Sequence, residues 1–122
     1  RTASIANSIR TIVADMDVKY IIVWSQLGGA AVYLSQQRIP RPILFFSPSD
    51  AILRRASLLY ALEPIPMAEQ TSNSGFFQAI DRMLIERDWA QPGDVVVFVV
   101  AEPITRVGVT NEIVIHFVGD EI

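Results

Sequence analysis

The sequence predicts an α/β domain of three layers, with helices on both faces of a five-stranded, mostly parallel sheet whose last strand runs antiparallel. Three observations carry that prediction. Short apolar runs of strand length alternate with segments of helical periodicity, the pattern of right-handed crossovers around a parallel sheet. The run from Val95 to Val100 has no polar face, as a strand covered on both sides requires. No helical pattern separates the last two apolar runs, so the final strand is expected to reverse on its predecessor.

Each element follows from local pattern. Ile5, Ile9, Ile12, Val13 and Met16 form one stripe of an amphipathic helix from Ala3 to Met16. Lys19 to Trp24 is a first buried strand, and Ser25 to Gly29 breaks it before Ala30, Ala31 and Leu34 recur with helical spacing to Gln37. Pro40 and Pro42 stop that helix, and Ile43 to Phe46 is a second buried strand. Ser47-Pro48-Ser49-Asp50 caps a third helix whose inner stripe is Ile52, Leu53, Ala56 and Leu59. Pro64 and Pro66 place the extended piece from Leu62 to Met67 at a sheet edge. After a polar loop from Glu69, the stripe Phe77, Ile80, Met83 and Leu84 marks a helix from Gly75 to Arg87, closed by the turn Gln91-Pro92-Gly93-Asp94. Beyond the strand Val95 to Val100, an irregular stretch to Val109 leads to a last strand from Glu112 to Val118. No internal repeat or linker splits residues 1–122, which are expected to form one domain.

Composition narrows the function. Over 122 residues, 51% are hydrophobic and 19% charged, and the mean hydropathy is +0.34. That is more apolar surface than one small domain hides, so a partner surface is expected. The cations are nine arginines and the single Lys19, without a basic cluster, and the net charge is -3. Nucleic-acid binding is therefore disfavoured. Cysteine is absent, which excludes a disulfide scaffold, a thiol nucleophile and a thiolate zinc site. No apolar run approaches the length of a membrane helix, and no signal-peptide pattern is present, so a cytoplasmic location is expected. Helical periodicity begins almost at Arg1, so the chain is expected to be a piece of a longer one.

Candidate chemistry is sparse. Ser25, Gln26, Gly28, Gly29 and Ala30 join a buried strand to a helix start, which suits either a tight turn or an anion site on free helix amides. The segment has neither the Gly-Lys-Ser/Thr of a Walker loop nor the third glycine of a dinucleotide fingerprint. Trp24 either walls that loop or fills the core. His116 is the sole histidine, alternates with Ile113, Ile115 and Phe117, and is expected to be half-exposed or at an interface. No nucleophile accompanies it. The pairs Asp15 with Asp17 and Glu86 with Asp88 read as solvated helix or turn ends. No metal or cofactor set is apparent.

Several strings, in order and over nearly the whole chain, resemble the C-terminal domain of pyruvate kinases. Ile21-Ile22-Val23 followed by Trp24-Ser25-Gln26-Leu27-Gly28-Gly29-Ala30-Ala31 resembles the family's strand and effector loop. Arg38-Ile39-Pro40-Arg41-Pro42-Ile43 resembles its Arg-Pro-x-x-Pro-Ile segment. Arg54, Leu58 and Pro64-Ile65, then Gly93-Asp94-Val95-Val96-Val97, Pro103, Gly108-Val109-Thr110-Asn111 and Val118-Gly119-Asp120, occupy the later family positions. The resemblance implies a non-catalytic module that binds phosphorylated effectors and supplies a subunit interface, while a separate barrel domain of the parent chain transfers phosphate from phosphoenolpyruvate to ADP. It also implies no cofactor in this domain.

Departures from the family pattern concern the effector loop, where Gln26 replaces a lysine often seen there, Leu27 a serine, Gly29 an arginine and Ala30 a hydroxyl residue. Each lost cation or hydroxyl removes a bond to phosphate worth about 1.5 to 3 kcal/mol. Ser25, the loop amides and Arg106 from the facing loop remain, so the expectation is a degenerate effector loop. The interface role needs only apolar complementarity, and Ile113, Ile115, His116 and Phe117 on the last strand are its expected residues, pairing antiparallel with a second copy. Two other readings stand beside this one: a free-standing homologue that binds a small phosphorylated metabolite, and an independent small enzyme, for which the residues offer no catalytic set.

Overall fold

A computed structural model of the chain describes residues 2–122. The elements run α1 (Thr2–Asp15), β1 (Val18–Trp24), α2 (Gly29–Gln36), β2 (Ile43–Ser47), α3 (Asp50–Ala56), β3 (Leu62–Pro66), α4 (Asn73–Glu86), β4 (Val95–Val100) and β5 (Glu112–Phe117). All nine expected elements form, with ends displaced by a residue or two. The exception is α3, which stops at Ala56 and leaves Leu59 outside the helix. Ser57 closes it, since its backbone N–H and its hydroxyl both reach the Arg54 carbonyl, at 3.3 and 2.7 Å. That carbonyl is one of the acceptors a helix end leaves free. Leu59 still packs on the core from the turn that follows.

The sheet order is β3-β2-β1-β4-β5. β1 pairs parallel with β2 and with β4, β2 pairs parallel with β3, and β4 pairs antiparallel with β5. Alternation along each strand then builds two cores. Ile21, Val23, Ile43, Phe45, Val97 and Val99 face the helices α1, α2 and α3 through Ile9, Leu34 and Leu53. Ile22, Leu44, Phe46, Val96, Phe98 and Val100 face α4.

Phe76 centres the second core, with ring centroids 5.5 Å from Trp24 and 6.0 Å from both Phe46 and Phe98. Sequence periodicity began the α4 stripe at Phe77, yet both adjacent phenylalanines are buried, so the stripe is one residue wider than expected. Aromatic pairs at these distances add about 0.5 to 1.5 kcal/mol each beyond their buried area.

This topology positions the site. The chain leaves β1 toward β2 on one side and returns through α4 to β4 on the other. The connections at the carboxyl ends of β1 and β4 therefore diverge and open a crevice there.

Candidate functional site

The crevice is a cleft of about 240 Å³, walled by Trp24, Ser25, Gln26, Leu27, Gly29 and Ala30 after β1 and by Ala101, Arg106, Gly108, Val109 and Thr110 after β4. The expected effector-loop residues and Arg106 are thus brought together, except Gly28, which shapes the turn from behind. Ser25 Oγ accepts the Gly28 N–H at 2.8 Å. Gly28 has φ 84°, and a Cβ there would stand 2.9 Å from Ile52 Cγ2. Only glycine turns the chain at this point without strain.

The turn delivers a helix start with open amides. α2 has no side-chain cap, and its first internal backbone bond runs from Val32 to the Gly28 carbonyl. The N–H groups of Gly29, Ala30 and Ala31 precede that bond, and they are the donors a helix N-terminus offers to an anion. Trp24 does both things the sequence allowed, packing on Phe76 and lining the cleft. Its indole Nε1 is buried without a hydrogen-bond partner among the described residues.

The opposite wall, residues 101–111, is pinned at its base by two asparagines. Asn73 Nδ2 donates to the Ala101 carbonyl at 2.8 Å and to Glu112 Oε1 at 3.3 Å, while Asn73 Oδ1 accepts the Ile104 N–H at 2.8 Å. Asn111 Oδ1 accepts the Glu102 N–H at 2.7 Å. Sequence reasoning had no hold on Asn73, because its partners lie about thirty residues away. Beyond that base, the Arg106 N–H reaches only the Pro103 carbonyl, at 3.0 Å.

A larger, shallow groove of about 620 Å³ lies between α4 and residues 119–122. It carries Asp81, Glu86, Asp120 and Glu121 against Arg82 alone, the wrong sign for a phosphate. Among the described residues, no cluster of three or more His, Asp or Glu side chains could hold a metal, and no helix is long and apolar enough to cross a membrane.

The expected interface residues divide by face. Ile115 and Phe117 are each 43% exposed, and Ile113 is half-buried against the first core. His116 requires a correction: it is buried rather than half-exposed, and its ring faces Asp81 on α4. Its Nε2 stands 2.7 Å from Asp81 Oδ1, which also accepts the Gly119 N–H at 2.9 Å. A carboxylate across the core can hold a buried imidazole that strand alternation alone would leave unexplained.

Known proteins resemble this chain along most of its length. The family model described as the pyruvate kinase alpha/beta domain matches residues 3–116. Pyruvate kinases of Mycobacterium intracellulare and Mycobacterium tuberculosis are 27% and 26% identical over 96% of the chain, and that of Staphylococcus aureus is 27% identical over 98%. The chain spans 25% of the mycobacterial relatives and 21% of the staphylococcal one, so the likeness is to one domain of each. With a family match over nearly every residue, and with the sheet and switch-point cleft described above, the chain belongs to the pyruvate kinase alpha/beta domain family.

Proposed function

We propose that this chain is the regulatory and assembly module of a pyruvate kinase polypeptide, working beside a catalytic barrel domain in the cytoplasm. In this reading it self-associates through β5, and its effector cleft holds phosphate only weakly. The exposed edge of β5 carries the assembly part. Ile115 and Phe117 project together from the last strand of the sheet, and a second copy in antiparallel register would cover both.

The weakened grip rests on the lining of the cleft, where Arg106 is the only side chain with a formal charge among the described residues. No catalytic role belongs to the domain, and phosphate transfer between phosphoenolpyruvate and ADP falls to the rest of the parent chain.

Sedimentation equilibrium tests the assembly. The chain should associate reversibly, and Ile115→Lys with Phe117→Lys should weaken association about a hundredfold, as loss of a central apolar anchor does. The double variant should melt like the parent monomer, since both side chains are exposed within one copy. A chain that stays monomeric at millimolar concentration ends this reading. Calorimetry with a sugar bisphosphate tests the cleft, where micromolar binding would overturn the weakened grip.

A further inference from the structure

We propose that the switch-point cleft takes a small monocarboxylate with an apolar body, and that the Trp24 indole N–H is a donor that recognises it. The inference rests on the reading of a weakened phosphate grip and states what the cleft accepts instead.

Four observations lead there. First, Trp24 lines the cleft, is only 4% exposed, and has an indole Nε1 with no acceptor among the described residues. A buried donor left alone is costly, and natural proteins seldom tolerate one without a reason. A carboxylate oxygen seated in the cleft supplies the missing acceptor. The N–H is itself sealed from solvent, so in this proposal the entering ligand displaces part of the cleft wall to reach it.

Second, the charge suits a single anionic head. Arg106 contributes one positive charge and the uncapped N-terminus of α2 roughly half of another. A bisphosphate brings about -3 to -4, far more than these groups balance.

Third, the lips of the cleft are apolar where a phosphate would want donors. Leu27, 61% exposed, and Val109 line the cleft from its two sides, and Leu27 Cδ1 stands 3.8 Å from where a Cβ on Gly108 would lie. The two loops therefore approach each other at the rim through apolar surface. Fourth, the volume is small. About 240 Å³ corresponds to about eight waters at about 30 Å³ each, room for a compact metabolite.

Benzoate, acetate, benzyl alcohol and inorganic phosphate serve as probes in nitrogen-proton spectra of the chain, with Trp89→Phe assigning the two indole signals. Benzoate should shift the Trp24 indole signal and bind at least tenfold more tightly than the other three. Arg106→Gln should weaken it about tenfold, and Trp24→Phe about fivefold. Leu27→Ser, at an exposed site, should reduce the preference for benzoate over acetate. If Trp24→Phe fails to fold, the indole signal of the parent chain and the Leu27→Ser variant still decide. A Trp24 signal that benzoate leaves unmoved overturns the inference and leaves the weakened phosphate grip standing. Benzoate binding that is indifferent to Arg106→Gln and to Trp24→Phe also overturns it. Phosphate or a sugar bisphosphate binding more tightly than benzoate overturns the inference and the weakened grip together.

Discussion

The two edges of the sheet are built on opposite plans. At one edge, β3 carries Pro64 and Pro66. The Met67 N–H donates to the Ser47 carbonyl, so by strand alternation residues 63, 65 and 67 turn their amides toward β2 while 64 and 66 turn away. Both prolines thus stand where an N–H would face solvent, and neither removes a bond from the ladder. At the other edge, the Val118 N–H donates to the Asp94 carbonyl, which turns the amides of Ile113, Ile115 and Phe117 outward. No proline blocks that strand, and two of those three residues expose large apolar side chains. One edge refuses a further strand and the other invites one. The difference lies in which positions received an imino acid, more than in how apolar either strand is.

The invitation depends on holding β5 in register, and Asp81 on α4 contacts that strand from the side of the second core. A carboxylate only accepts hydrogen bonds, so the His116 Nε2 that faces it carries the proton. The same Asp81 oxygen holds the Gly119 N–H just past the end of the strand. Asp81→Ala leaves both donors unsatisfied, one of them buried, and should cost about 2 kcal/mol of stability. Asp81→Asn keeps an oxygen acceptor and should lose about half as much. Urea denaturation measures both. Because β5 carries the proposed contact, Asp81→Ala should also weaken self-association at concentrations where the variant is folded. A variant as stable as the parent would show that the edge is held by strand pairing alone.

A smaller effect is expected at the opposite edge. Pro64→Thr with Pro66→Thr restores two outward N–H groups and leaves the bonds to β2 intact, so stability should change by no more than about 1 kcal/mol. What should change is behaviour at high concentration. Light scattering should report a several-fold rise in association, because β3 then offers the open ladder that β5 already has. If scattering stays flat, the prolines are incidental and α3 together with the exposed Glu63 protects that edge.

The fold was legible because each signal was local. Val95 to Val100 reads as doubly covered from its own letters, and Pro64 and Pro66 announce an edge without reference to any partner. The features that escaped were pairings made at long range. His116 looks half-exposed until Asp81, 35 residues earlier, is placed opposite it. Asn73 looks like an ordinary residue near a helix start until Ala101, Ile104 and Glu112 converge on it. The cleft was half legible: strand, Ser25 and Gly28-Gly29 predict the turn and its free amides, and a family resemblance supplied Arg106 as the facing residue. Nothing in the string foretells that the Trp24 N–H would lack an acceptor, because that depends on every neighbour at once.

The smallest effect belongs to the turn that fastens the inviting edge. Asp94 Oδ2 accepts the Gln91 N–H at 2.8 Å and lies 3.4 Å from Lys19 Nζ. The backbone N–H of Gln91, with help from Lys19, holds the Asp94 carboxyl below its ordinary range despite some opposing desolvation. A carboxyl depressed in the folded state adds stability above its unfolded pKa, near 4, and loses it as pH falls through the lower folded value. Asp94→Asn should therefore be slightly less stable than the parent at neutral pH, and the gap should close as pH drops below about 4. High salt should narrow the neutral-pH gap only in part, since the larger cause is a backbone amide rather than the exposed lysine. Urea midpoints across that range decide it. A gap that stays constant in acid would mean that Asp94 holds the turn through its shape alone, and that the β5 edge owes nothing to this charge.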